Sequence, residues 1–204
     1  MKRVLAELGV IVAGVLIALA ADSAWSNRSD RLREVDLLRD LHEEFDENLR
    51  ILRSDMAHNE ASLEAGQSWA RAMLGDVQIS GDSLAGLYQA SWNTARFDPV
   101  TGVLQSALAS GDLSIVRNVE LRQAVAGWRD RAEEARNTSE NANRQRSSWA
   151  PTLAALEPGR THTPGEVALI RLHGALSNGG GHQMQSLVDY LASIQQMIEV
   201  ELAR

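Results

Sequence analysis

Apolar residues follow two different patterns along the chain. Residues 4–21 read VLAELGVIVAGVLIALAA, with Glu7 as the one charge. As a helix this run spans about 27 Å, close to the roughly 30 Å hydrocarbon core of a bilayer. Trp25 follows where an interfacial indole is expected. The pattern predicts a membrane anchor over residues 1–26, with residues 4–23 in the lipid bilayer. The residues assigned to it are Gly9, Gly14, Leu16, Ile17, Leu19 and Trp25.

Other interpretations of this segment stay open. Its basic start, short apolar stretch and Ala18-Leu19-Ala20 triplet are also typical of a secretory signal peptide cleaved after Ala20. A buried core helix is disfavoured, because the run from residue 8 to residue 21 has no polar face. Gly9 and Gly14 each lie four residues before an alanine, a spacing that lets two membrane helices pack, although scattered small residues are the simpler interpretation.

The direction of insertion is weakly determined by charge. Lys2 and Arg3 precede the apolar run, and Arg28, Arg31 and Arg33 follow it, so the basic residues are nearly balanced. A large domain after a first hydrophobic segment favours an N-terminus on the inside. We therefore expect the domain on the outer side of the membrane.

From residue 29 to residue 74 the pattern becomes a single apolar stripe among charged residues. Apolar side chains recur every three or four positions from Leu32 to Met56, which is the spacing of one helix face. A helix over residues 29–74 would be about 70 Å long. Such a stripe is typical of a helix bundle or a coiled coil, so a second copy of the chain is a candidate partner. We expect the core to form at Leu38, Leu41, Phe45, Leu49 and Leu52.

Capping residues and turns divide residues 82–204 into shorter helices. Asn118 is a good N-cap, and Thr163-Pro164-Gly165-Glu166 has the sequence of a capping box with proline in the first turn. Gly111 marks a turn between helices, and the polar residues 136–148 fit either a helix or a loop.

No segment shows the alternation of a strand, so we expect an all-α fold. An N-terminal transmembrane helix would lead into a long helix. The shorter helices of a domain over residues 27–204 would pack against it as a bundle.

Two stretches resemble a family of uncharacterised bacterial proteins with one N-terminal membrane helix. Residues 14–19, GVLIAL, are similar to the family's GxLIAL-type anchor, and residues 110–122 are similar to its SGxLxxIxNxxLR-type central motif. The resemblance implies single-pass attachment to the bacterial inner membrane, with the domain on the periplasmic side, and implies no catalytic residue. The motif residues are Ser110, Gly111, Leu113, Ile115, Asn118, Leu121 and Arg122.

The amino-acid composition excludes several classes of function. The 204 residues carry 27 acidic and 20 basic side chains, for a net charge of −7. This balance argues against sequence-independent nucleic-acid binding, which needs a basic surface. The chain has no cysteine, which excludes disulfides, thiolate metal sites and cysteine nucleophiles.

Two short sequences suggest chemistry but have simpler interpretations. Gly81-Asp82-Ser83-Leu84 spells the nucleophile block of GDSL esterases, in which the serine follows a strand and a later Asp-x-x-His supplies the base. Here the one Asp-x-x-His, Asp55 to His58, precedes the serine, and helix capping accounts for the polar residues. His42-Glu43-Glu44 begins like a zinc-binding HExxH motif, but Asp46 stands where the second histidine is needed.

The sequence therefore predicts a non-catalytic, membrane-anchored helical interaction or scaffold protein without cofactor or metal. Its partners would be the bilayer and a protein. A ligand-sensing bundle is the alternative, and a GDSL-type esterase is a remote one. The ligand pocket of the alternative would be lined by Trp69, Trp92, Trp128 and Trp149, although tryptophans at helical spacing more often pack in a core.

Overall fold

The computed structural model describes the backbone of residues 2–176 and 181–204, and the side chains of residues 14–176 and 183–204. Within these residues the chain is all-helical and has no strand, which confirms the predicted fold class. The helices are α1 (Lys2–Met73), α2 (Gly81–Trp92), α3 (Gly102–Ser110), a 3-10 helix (Asp112–Ile115), α4 (Val119–Ala154), α5 (Pro164–Ala175) and α6 (Gly181–Leu202).

Helix α1 joins the predicted anchor and the predicted long helix in one element of 72 residues. At 1.5 Å per residue it is about 108 Å long. No glycine or proline occurs between Gly14 and Gly66 to interrupt it. Helices α2, α3, α5 and α6 pack against α1, but residues 14–29 are exposed on all sides. We call residues 14–29 the projecting segment.

The middle of α1 forms the main core with α4 and α6. The five residues predicted for this core, from Leu38 to Leu52, are at most 2% exposed. Phe45 meets the edge of Trp128 of α4, with ring centroids 6.3 Å apart. Leu191 of α6 is fully buried in the same cluster. Burying side chains of this size contributes about 1.5–3 kcal/mol each, so this stripe is the main stabilising surface of the bundle.

A second cluster, which we call the distal core, forms at the C-terminal end of α1. Its apolar members come from α1, α2, α4 and α5, and its centre is almost fully buried at Trp69, Met73, Leu153 and Ile170. The two cores lie along the same long helix, so α1 is the common wall of the whole bundle.

Buried amide side chains on α1 hold the irregular segment that joins α2 to α3. Asn48 accepts from the backbone N–H of Val100 (2.8 Å) and donates to its carbonyl (2.7 Å). Asn59 accepts from the backbone N–H of Ala95 (2.7 Å) and donates to its carbonyl at 3.5 Å. Because residues 93–101 have no helix or sheet partner, these asparagines satisfy backbone groups that would otherwise be buried without hydrogen bonds.

A glutamate of α1 caps α3 from outside. The Glu44 carboxylate accepts from the backbone N–H groups of Val103 (2.6 Å) and Leu104 (3.1 Å). The N-cap residue of α3, Thr101, makes no side-chain capping bond of its own, so Glu44 supplies the acceptor that the first turn lacks. Burial raises the pKa of the Glu44 carboxyl, and the two backbone hydrogen bonds oppose that rise.

Local signals for the helix ends are confirmed at two places. Asn118 caps α4 by accepting from Leu121 N–H, and Thr163 with Glu166 forms the complete capping box of α5. The polar residues 136–148, compatible with helix or loop in sequence, are helical and continue to Ala154. Leu32 departs from the predicted stripe, since it is 61% exposed.

Candidate functional site

The end of the bundle from which α1 emerges is the candidate site. Here the first packed turns of α1 meet the loop before α4 and the last turn of α6. We call this surface the exit face and define it by Arg31, Glu34, Arg117, Asn118 and Glu201. The predicted central motif, residues 110–122, leads directly into it.

Glu34 is the centre of the exit face and is fully buried. It accepts from the guanidinium of Arg31 (2.8 Å) and from the backbone N–H of Arg117 (2.7 Å). The Arg117 guanidinium lies 3.6 Å from the same carboxylate. A buried carboxylate is stable only when paired and hydrogen-bonded, so Glu34 ties the loop before α4 to α1.

Glu201 connects α6 to the same joint. Its carboxylate accepts from the side-chain amide of Asn118 (2.8 Å) and from Arg204 (2.8 Å), while its backbone carbonyl accepts from Arg31 (2.8 Å). Asn118 also caps α4 by accepting from Leu121 N–H at 3.1 Å. Three elements of the bundle are thus cross-linked at the point where the projecting segment begins.

The motif residues are placed around this joint. Leu113 and Leu121 are buried, and Ser110 donates to the Asp112 carboxylate (2.6 Å) in the turn. Gly111 has φ 79°, a left-handed conformation that costs glycine little, and so ends α3. Arg122 donates to the carbonyl of Val116 (3.0 Å).

One motif residue is less buried than the motif would suggest. Ile115 is only half-buried, whereas its neighbour Val116 is fully buried. The 3-10 turn at Asp112–Ile115 directs Val116 rather than Ile115 into the core. Counted from Ser110, the motif SGxLxxIxN places its isoleucine at position 116, so the buried Val116 occupies that position and the assignment of Ile115 to the motif was wrong by one residue.

The projecting segment presents large apolar side chains that no other element covers. Leu16, Ile17 and Leu19 are 58–71% exposed, and Trp25 is 77% exposed. Gly14 has open space around its Cα, while the side chain environment of Gly9 lies outside the described residues. The anchor residues from Gly14 to Trp25 that the structure describes therefore form no part of the packed bundle.

The prediction of a transmembrane helix finds no support in the described residues. None of the helices has, within that part of the chain, a stretch long and apolar enough to cross a membrane. The predicted span of residues 4–23 begins in the part of α1 whose side chains are not described, so the anchor stays a prediction.

The residues of the catalytic and metal hypotheses lie on two different helices, α1 and α2. Ser83 lies in the first turn of α2, where its N–H donates to the capping hydroxyl of Ser80, and no strand precedes it in the described chain. Asp55 and His58 lie on α1, and burial raises the pKa of the Asp55 carboxyl. The described side chains include no group of three or more metal-ligating residues.

Sequence reasoning missed a cluster of aromatic and basic side chains in the distal core. His173 is fully buried and packs against the rings of Trp69, Tyr88 and Trp92, with centroids 4.6–6.0 Å apart. Its Nε2 lies 2.8 Å from the Ser91 hydroxyl. The tryptophans were recognised as candidates, but nothing in the sequence indicated that a histidine would lie among them.

Arg146 adds a buried positive charge to this cluster. It is 1% exposed, donates to the carbonyl of Ser91 (2.6 Å) and lies over the ring of Trp92 at 5.0 Å. Burial lowers the pKa of the Arg146 guanidinium. Burial first, and the nearby Arg146 second, lower the pKa of His173 to about 4. The cluster is therefore a neutral histidine beside a buried cation, held by aromatic rings.

Five surface cavities of the described chain bear on the ligand-sensing alternative. Five cavities of about 160 to 590 Å³ are lined by residues of the described chain, and no tryptophan lines any of them. The largest lies between α1 and α6 beside Met56, Leu63 and Val188. Trp69 and Trp92 pack in the distal core and Trp128 in the main core.

Comparison with known proteins identifies no relative. The sequence matches no protein-family profile, and no curated protein or solved structure is significantly similar to it. The resemblance to single-pass bacterial membrane proteins therefore stays a prediction, and the functional argument depends on the geometry of the exit face and the projecting segment.

Proposed function

We propose that this chain is a non-catalytic interaction or scaffold protein that holds a helical bundle at a membrane through residues 4–23. The observation that carries the proposal is the projecting segment of α1. Its apolar side chains are more than half exposed at Val15, Leu16, Ile17 and Leu19, and contiguous apolar exposure of this kind marks a surface that binds lipid or protein.

The order of residues along α1 supports a lipid environment for this segment. The apolar run is followed by the exposed Trp25, and then by Arg28 and Arg31. Indole and guanidinium groups in this order are typical of a helix that leaves a bilayer. Because α1 continues unbroken into the bundle, an inserted segment would hold the bundle next to the membrane and raise its local concentration there.

Membrane fractionation of the full-length chain tests the proposal. We expect the wild-type protein in the membrane fraction at full mass, resistant to extraction by high salt and alkaline carbonate. The double variant Leu16→Glu, Ile17→Glu should shift to the soluble fraction, because charges in an apolar span cost about 2.5–3.5 kcal/mol each near its centre. Protease access on sealed vesicles would then show which side holds the bundle.

A matched control separates anchoring from general solubility. Val77 is 42% exposed in the turn after α1, so Val77→Glu adds a charge on an exposed apolar residue outside the projecting segment. That variant should stay in the membrane fraction. A wild-type protein that is soluble and lacks its first twenty residues would contradict the proposal and support cleavage after Ala20.

A further inference from the structure

We propose that the exit face binds the phosphate group of an anionic lipid headgroup in a pocket formed by three arginines. The inference deepens the proposed function and rests on it, because a membrane-held bundle would bring this face to the lipid surface. The pocket is a surface cavity of about 380 Å³ lined by Arg31, Arg117, Asn118, Glu201 and Arg204, and we call it the arginine pocket.

The charges around the arginine pocket favour an anion. The three guanidinium groups pair with two side-chain carboxylates, those of Glu34 and Glu201. Both carboxylates are buried, at 0% and 4% exposure, whereas the side chains of Arg117 and Arg204 are 56% and 66% exposed. The negative charge therefore lies behind the surface, and the positive charge faces solvent.

The arginines also keep donors for a ligand. Each guanidinium has five N–H donors in a planar fork that matches phosphate geometry. Arg204 makes one hydrogen bond, to Glu201, and Arg117 donates to the Asn27 carbonyl in addition to its ion pair with Glu34. These contacts use fewer than the five N–H donors of either side chain, so donors remain for a phosphate oxygen in the cavity that both residues line.

The position of the pocket along α1 fits a lipid headgroup. Arg31 follows Trp25, the last large apolar residue of the projecting segment, by six positions, or about 9 Å of helix. The Arg117 guanidinium reaches towards the apolar run, since it donates to the carbonyl of Asn27 (3.1 Å), two residues after Trp25. Phosphates lie just outside the hydrocarbon core, at the depth marked by Trp25 in this arrangement.

Thermal unfolding of the full-length chain in a neutral detergent tests the pocket. The ligand is dihexanoyl phosphatidylglycerol, compared with dihexanoyl phosphatidylcholine, inorganic phosphate and sodium chloride at equal ionic strength. At ten times its Kd the anionic lipid should raise Tm by about 3–6 °C, because a ligand that binds the native state stabilises it. The same lipid should raise Tm by less than half as much in Arg204→Ala.

Arg39→Ala is the matched control for Arg204→Ala. Arg39 is 65% exposed and pairs with Asp36 three residues earlier, as Arg204 is 66% exposed and pairs with Glu201, but it lies outside the pocket. It should keep the full Tm rise. Arg117→Ala is a second test at another residue that lines the pocket. The anionic lipid should raise its Tm little above the value that this variant has without lipid.

Each other outcome overturns the inference in a different way. An equal rise with inorganic phosphate that disappears in Arg204→Ala would assign the pocket to free phosphate. An equal rise with phosphatidylcholine, or one that Arg204→Ala retains, would show that the pocket does not select an anionic headgroup. Because the measurement is made in detergent, a failure here is distinguishable from a failure of membrane anchoring, which fractionation measures.

Discussion

The exit face and the distal core both bury charged or titratable side chains, but they compensate them in different ways. At the exit face, the buried carboxylate of Glu34 has guanidinium and backbone N–H donors around it. In the distal core, Arg146 and His173 are buried together, and the groups around them are aromatic rings, a hydroxyl and a backbone carbonyl. At the exit face the charged Glu34 carboxylate is kept and holds elements of the bundle together. In the distal core, burial favours the uncharged form of His173.

This difference assigns different roles to the two ends of the bundle. A paired buried charge is costly to break from either side, so it fixes one arrangement of the helices that share it. Placing a proton on the buried His173 beside Arg146 is unfavourable, so this cluster is most stable while the histidine is neutral. We therefore expect the exit face to fix the arrangement of α1, α6 and the loop before α4, and the distal core to lose stability in acid.

The largest expected effect is in the main core between these two ends. Phe45→Asp places a carboxylate at a fully buried position against Trp128. The cost should exceed about 4 kcal/mol, so the domain should be unfolded, with loss of helical circular dichroism. Val77→Asp, at a 42% exposed residue, should leave the spectrum unchanged. A helical, cooperatively unfolding Phe45→Asp would show that α1 is not the common wall of the bundle.

Removing the carboxylate at the centre of the exit face should have the next largest effect. Glu34→Leu leaves Arg31 and the Arg117 backbone N–H without their acceptor, at a cost of about 3 kcal/mol in unfolding free energy. Asp36→Leu changes an exposed carboxylate, 74% accessible, and should cost less than about 0.5 kcal/mol. Urea unfolding compares the two variants, and equal costs would mean that the exit face is not a structural joint.

Acid should weaken the distal core. Burial lowers the pKa of His173 to about 4 in the folded chain, against about 6.5 for an ordinary histidine, so the unfolded chain binds the proton first as pH falls. Stability is complete above the unfolded pKa and falls as pH drops from 6.5 towards 4. The loss from this group should reach about 2 kcal/mol by pH 5.

Comparing wild type with His173→Gln isolates this effect. The glutamine amide retains a polar group near Ser91 but does not titrate. The unfolding free energy of His173→Gln should therefore change less between pH 7.5 and pH 5 than that of the wild-type protein. Urea midpoints at both pH values measure the difference. Parallel pH profiles for the two proteins would show that His173 is not the group responsible.

A small effect is expected at the turn that leads into the exit face. Gly111 has φ 79° and no neighbour that a Cβ would meet, so Gly111→Ala should cost only the conformational strain, about 1 kcal/mol. Gly86 lies inside α2 with equally open surroundings, so Gly86→Ala should stabilise the chain by up to about 1 kcal/mol. The opposite signs can be read from thermal unfolding, and two stabilising results would place the turn outside the left-handed region.

The periodicity of apolar residues and the helix-capping residues were sufficient to predict the helical architecture. The stripe from Leu38 to Leu52 is buried because each residue lies three or four positions from the next, and this spacing is a local property of sequence. The capping box at Thr163 is equally local. These features need no knowledge of which helices meet.

The polar contacts between elements could not be predicted from the sequence. Glu34, Glu44 and Asn48 look like solvated residues of a charged helix, but they contact backbone groups 52 to 83 residues away. The same is true of His173 and Arg146, whose environment depends on how α2, α4 and α5 pack. A sequence pattern reports which face of a helix is apolar, but a buried polar residue is defined by its distant partner.

The unbroken course of α1 has a mechanical consequence. From residue 15 to residue 65 there is no glycine or proline that would interrupt the helix, so we expect the projecting segment and the bundle to rotate together as a rigid unit. Each residue of an α-helix advances about 100° around its axis. One residue inserted before Arg28 would therefore turn the whole bundle by about that angle relative to residues 14–26, while seven would nearly restore its phase at a greater height.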